Sequence, residues 1–198
     1  PLIAQFIDQE VNLPQEGVYL AQTLYPQSPA TINRFLIVGG TSQQRLIVVP
    51  AQFQTTSVTA PTTGILRKYD NLDLVVYTAS FTETDFTAPN VWSVSAANTG
   101  NIDFSVELSD DDSGVYRTVV LYRNMATNSW SSTDLTYNPA TGLATGSVPA
   151  PAGTVEYFVQ AVDQAGNVSL VLDHGLPFRI LSASTDTDGD GVVDSIDN

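Results

Sequence analysis

Ile102, Phe104, Val106 and Leu108 alternate with Asp103, Ser105 and Glu107, and a period of two puts all the apolar groups on one face of an extended strand. A helix would scatter them around its axis. No window of about twelve residues shows convincing helical spacing, so the chain is confined to the all-β class. Val115 to Tyr122 is rich in β-branched and aromatic residues, and it follows Asp110, Asp111, Asp112, Ser113 and Gly114, a cluster suited to a turn. Val155 to Val162 repeats the pattern between Pro149, Pro151 and Gly153 on one side and Asp163, Gly166 and Asn167 on the other. Val168 to Leu172 then restarts it.

Thr87, Ala88, Pro89 and Asn90 interrupt this series, because proline cannot donate to a ladder and restricts the residue before it. A domain boundary is expected there, dividing residues 1–87 from 88–181. Upstream, Gly17 to Leu24, Ile32 to Val38, Arg45 to Val49 and Leu72 to Thr78 read as strands, separated by Gly39 and Gly40 and by a Thr/Pro-rich stretch. The first part is expected to be a small all-β domain, or the remainder of one.

Charge narrows the partners. The 198 residues carry 7 Lys+Arg against 21 Asp+Glu, a formal net charge of -14, so nucleic acid is excluded as an electrostatically favoured ligand. With no cysteine, neither disulfides nor thiolate metal sites contribute, and any bound metal must be held by oxygen. No apolar run reaches the roughly 18 residues of a membrane span. The chain starts at Pro1 without a signal-like segment and is expected to be an internal piece of a longer exported protein, its neighbouring domains being its first partners.

The opening TAPNVWSV, the turn SDDDSGV, Trp130 and the run VEYFVQAVDQAGNVS carry a resemblance of residues 88–181 to fibronectin type III and bacterial immunoglobulin-like domains. The resemblance implies a β-sandwich of about seven strands and no catalytic residue. Such domains serve as spacers, adhesion modules or accessory parts of secreted proteins.

The residues with most chemistry lie at the end. Counted from Asp186, carboxylates fall at positions 1, 3, 5, 9 and 12, with Gly191 at position 6, the spacing of a calcium loop. Alternate residues of a tightly wound loop aim short carboxylates at one centre, and Val192 would add a backbone carbonyl. The flanking sequence lacks the helix pair of an EF-hand. Asp186, Asp188, Asp190, Gly191, Asp194 and Asp197 instead resemble a thrombospondin type 3 repeat, which implies Ca²⁺ held by Asp186, Asp188, Asp190, Val192, Asp194 and Asp197 within residues 182–198.

Weaker signals have plainer readings. His174 is the single histidine, and without a nucleophile-elbow motif it reads as a surface turn residue rather than part of a triad. Asp110, Asp111 and Asp112 suit a turn, the alternative being a second oxygen-rich cation site completed by loops from elsewhere. Asp163 and Asn167 flank a glycine turn, where a side chain to backbone bond suffices. Trp92 and Trp130 read as core residues, or, if exposed and coplanar, as a sugar-stacking platform. The expectation is a non-catalytic structural or adhesion module, extracellular or on the cell surface, binding calcium and meeting a surface protein or glycan. The alternative is a carbohydrate-binding accessory domain of a secreted hydrolase.

Overall fold

The structure is a computed structural model, and it describes residues 3–12, 23–37, 39, 41–56, 63–80 and 82–182. Its regular elements are strands: β1 (Ile3–Asn12), β2 (Ala30–Ile37), β3 (Thr41–Val48), β4 (Ala51–Thr55), β5 (Thr63–Asp73), β6 (Asn90–Asn98), β7 (Asn101–Ser109), β8 (Val115–Asn124), β9 (Ser129–Asn138), β10 (Leu143–Pro149), β11 (Gly153–Asp163), β12 (Val168–Val171) and β13 (Phe178–Ser182). No helix occurs among the described residues, and the protein is all-β.

Two compact units divide the chain, one over Ile3–Asp73 and one beginning at Leu74. The division falls before the Thr87–Asn90 stretch, because residues 77–89 are tied to the second unit. Arg117 donates to the Tyr77 hydroxyl at 3.1 Å, and the Ser113 amide donates to Asp85 at 3.2 Å.

In the first unit β1 and β4 pair antiparallel with the two edges of β5. Ala4, Phe6 and Phe53 are buried there, with the Phe6 and Tyr69 rings edge to face at 5.9 Å. The Arg67 guanidinium lies 3.9 Å from the Phe6 ring centroid and grips both Asp8 oxygens at 2.8 Å, so one side chain serves packing and charge together. β2 and β3 form a separate antiparallel pair. The expected strands at Ile32–Val38 and Arg45–Val49 correspond to β2 and β3. Within Gly17–Leu24, residues 17–22 lie outside the described residues, and Thr23 and Leu24 are not in a strand. Leu72–Thr78 is corrected: β5 ends at Asp73, and Val75 and Val76 are exposed in irregular chain, their β-propensity overridden by the lack of a ladder.

The second unit has a β-sandwich-like form. β6 pairs with β7 and β7 with β10, while β11 pairs with β8 on one edge and with β12 and β13 on the other. β9 belongs to both layers: Ser131 to Leu135 pair with β8, and Thr136 to Asn138 pair with β10. The period-two reading is met side chain by side chain. Ile102, Phe104, Val106 and Leu108 are each at most 2 % exposed and meet Val155, Tyr157, Val159 and Ala161 of β11 across the shared core. At about 25 cal/mol per Å² of apolar surface, such burial is the main driving term for this unit.

β8 is buried at four successive positions, Thr118 to Leu121, so both faces of its sheet are covered. On the face away from the core, Glu156 accepts from Arg123 at 2.8 Å and from Arg179 at 2.9 Å, and Arg123 also lies over the Trp130 ring. Burial raises the Glu156 carboxyl, but the two guanidinium groups outweigh it and hold the group below the ordinary glutamate range.

Candidate metal centre

Three carboxylates distant in sequence meet at one end of the sandwich. Asp85 comes from the irregular segment before β6, Asp110 from the turn after β7, and Asp163 from the last position of β11. One oxygen of each lies within 4.8 Å of the others, and Asp85 and Asp163 are buried.

Local backbone bonds place each group. Gly114 donates its amide to Asp110 Oδ1 at 2.6 Å, closing the Asp110–Gly114 turn, and Gly114 takes a φ of 86°, a region costly for a side chain. Asp163 Oδ1 accepts the Asn167 amide at 2.8 Å, and Oδ2 accepts the Asn167 side-chain amide at 2.7 Å. Asp85 Oδ1 accepts both the amide and the hydroxyl of Thr87 at 2.9 Å. The Thr87 hydroxyl also reaches Asp112 Oδ2 at 3.1 Å.

The turns are then bound to the segment. Asn167 Nδ2 donates to the Asp85 carbonyl at 3.1 Å and the Thr87 carbonyl at 3.2 Å, and Ser169 Oγ donates to the Pro89 carbonyl at 2.5 Å. Each partner is a side chain answering a main-chain group that has no ladder neighbour.

The electrostatics are one-sided. Among the described residues no Lys, Arg or His bonds to these three carboxylates, since Arg117, Arg123 and Arg179 pair with Asp134 and Glu156. Hydrogen bonds from Ser113 and Thr87 hold the Asp85 carboxyl below the usual carboxylate range, so it is charged at neutral pH. Like charges this close repel, and a hard cation removes that cost by direct coordination. The donor set is oxygen alone, which suits Ca²⁺ or Mg²⁺ and not the nitrogen and sulfur sites of zinc. Asp110 Oδ1 and the two Asp163 oxygens each accept one of these bonds and keep a second lone pair for an ion, whereas Asp85 Oδ1 already accepts two.

The other expected positions fall elsewhere. Asp186, Asp188, Asp190, Val192, Asp194 and Asp197 lie outside the described residues. His174 sits at the tip of a two-residue turn at φ 50°, its side chain 96 % exposed and its Nδ1 2.6 Å from Asp173 Oδ1. Trp92 is 67 % exposed on β6, whereas Trp130 packs on Phe158 of β11 at 5.1 Å, so the two indoles lie on different sheets and share no platform.

Asp110 and the Asp163–Asn167 pair were visible as turn chemistry, but nothing in their spacing joined them. Asp85 was missed. Its only signal was local, an aspartate two residues before Thr87 in a proline-containing stretch, the pattern of a side chain bonding forward to the backbone. No protein-family model matches the chain, and no curated protein matches it in sequence.

Proposed function

We propose that this chain is a non-catalytic structural and adhesion module of a secreted or cell-surface protein, its second unit acting as a spacer whose incoming chain is held in a fixed direction. The observation that carries this reading is the fastening of residues 85–89 to two turns and to β12, through Asn167, Ser113, Ser169 and the three aspartates. A flexible linker would leave those carbonyls to water. The resemblance of residues 88–181 to fibronectin type III and bacterial immunoglobulin-like domains supports the same reading.

Calcium is the proposed ion, at Asp85, Asp110 and Asp163 and at the C-terminal loop from Asp186 to Asp197. An ion at the first site cross-links three segments, and ion binding at the second compacts a self-repelling strip and sets the direction in which the chain continues. The carbohydrate-binding alternative rested on a joint platform of Trp92 and Trp130 and receives no support from their placement.

Calorimetry of the chain with Ca²⁺ and with a chelator tests the proposal. At a hundredfold excess over the dissociation constant, one site stabilises by about 2.7 kcal/mol. That corresponds to a rise in Tm of about 5 to 10 °C. Asp85→Asn with Asp163→Asn should abolish one binding event, and Asp188→Ala with Asp190→Ala the other. A chain that binds no Ca²⁺ and melts identically in both conditions would falsify the ion assignment.

A further inference from the structure

The β2–β3 pair stands out in the first unit because residues 31–34 and 43–46 are all exposed, and successive exposed residues on a strand mean that both faces meet solvent. An isolated two-stranded ribbon is marginal in water. Ile32 faces Leu46 in register, and Ile32, Leu46, Val48 and Val49 are all substantially exposed. Charge sets the ribbon apart again. Between Glu16 and Asp70 the sequence has no acidic residue, while it holds Arg34, Arg45, Arg67 and Lys68.

The second unit presents the opposite surface. No Lys or Arg occurs between Lys68 and Arg117, nor between Arg123 and Arg179, so β6, β7 and β10 carry none. On their outer face Ser95 pairs with Ser105 and Ala97 with Asp103, and Thr145 and Ser147 continue the same rows. The small side chains leave a shallow depression of about 510 Å³. Glu107 follows Ser105 along β7, opposite Ser93, and the exposed Trp92 bonds through Nε1 to Ser109 at 3.3 Å at the end of the same face.

We propose that copies of this chain associate head to tail, the β2–β3 ribbon of one copy docking on the β6–β7–β10 face of the next. The ribbon brings apolar side chains and guanidinium groups. The receiving face offers room, carboxylates and an indole, the groups that attract arginine by charge and by cation–π contact. A second copy is the occupant because the one sequence supplies both complementary surfaces, on different units. Contacts between two unlike surfaces build a ring where the rotation closes and an open chain of subunits where it does not, and either carries the assembly beyond a single contact. This inference is independent of the cation sites, and it is tested with chelator present.

The experiment is sedimentation of the full chain over a wide concentration range at low salt. The expected mass rises with concentration beyond that of a dimer, and raising the salt weakens association about tenfold or more. Arg34→Glu with Arg45→Glu reverses the ribbon's charge, and Trp92→Ala with Glu107→Lys spoils the receiving face. Each variant alone should remain monomeric with an unchanged circular dichroism spectrum. Mixed together, the two variants retain one intact surface each and should form a one-to-one complex that grows no further. A wild-type chain that stays monomeric, one that stops at a dimer, or folded variants that associate like the wild type would each overturn the proposal.

Discussion

Asn167 donates one side-chain amide to the main-chain carbonyls of Asp85 and Thr87 and to the Asp163 carboxylate, so a single residue after β11 holds the segment that precedes β6. Asn167→Ala removes all three bonds and leaves two part-buried acceptors, the Asp85 carbonyl and Asp163 Oδ2, without that donor. At about 0.5 to 1.5 kcal/mol for each net bond, the expected loss is about 2 to 3 kcal/mol. Chemical denaturation measures it, and limited proteolysis should show new cleavage between Leu74 and Pro89.

Acid should weaken the same end of the molecule. Because the folded Asp85 carboxyl titrates below its unfolded value of about 3.9, its contribution is full above that pH and lost as pH falls through the folded value. Asp85→Asn should therefore flatten the stability curve below about pH 4 and leave its slope near neutrality unchanged. Equal acid limbs in the two proteins would remove this linkage.

Glu156 and its two arginines should respond unequally. The Glu156 side chain is 6 % exposed, and Glu156→Gln removes the carboxylate that the largely buried Arg123 grips, at an expected cost of about 3 kcal/mol. Arg179 is 61 % exposed, and Arg179→Ala should cost about 1 kcal/mol or less. Denaturant midpoints of the two variants measure the contrast.

Thr118→Val should stabilise. Thr118 is 1 % exposed, and its hydroxyl has no hydrogen-bond partner among the described residues. Replacing that hydroxyl with a methyl group of similar shape removes a desolvation cost of about 1 kcal/mol. A lowered Tm would show that the hydroxyl is satisfied after all.

Gly64→Ala probes the first unit alone. A Cβ there would lie 2.6 Å from a Phe53 ring carbon and collide with the Gln54 carbonyl, so β4 must move away from β5. The expected loss is about 1 to 3 kcal/mol. Spectra of Phe53 and Tyr69 should change while the core around Ile102 does not.

Side-chain alternation made β7 and β10 legible because they bury one face and expose the other, while β8 and β11, buried on both faces, were legible from their β-branched and aromatic content. The first unit was harder to read. β2 and β3 expose successive residues, and β1 mixes Gln, Asp and Glu with its apolar positions, so period two is diluted where no deep core selects it. The carboxylate cluster was legible only in fragments, since its members are distant in sequence: the β8–β11 ladder brings the Asp110 turn beside Asp163, and bonds from Asn167 and Ser113 bring in Asp85. Short-range spacing carries none of that information.

The terminal strands of the second unit, β6 and β13, lie in opposite layers and join different neighbours, β7 and β11. Tension applied to the two ends of this unit must therefore cross the packed interior instead of peeling one hairpin open. Pulling the unit apart this way means sliding one layer past the other, and the residues that resist are those around Phe104 and Tyr157.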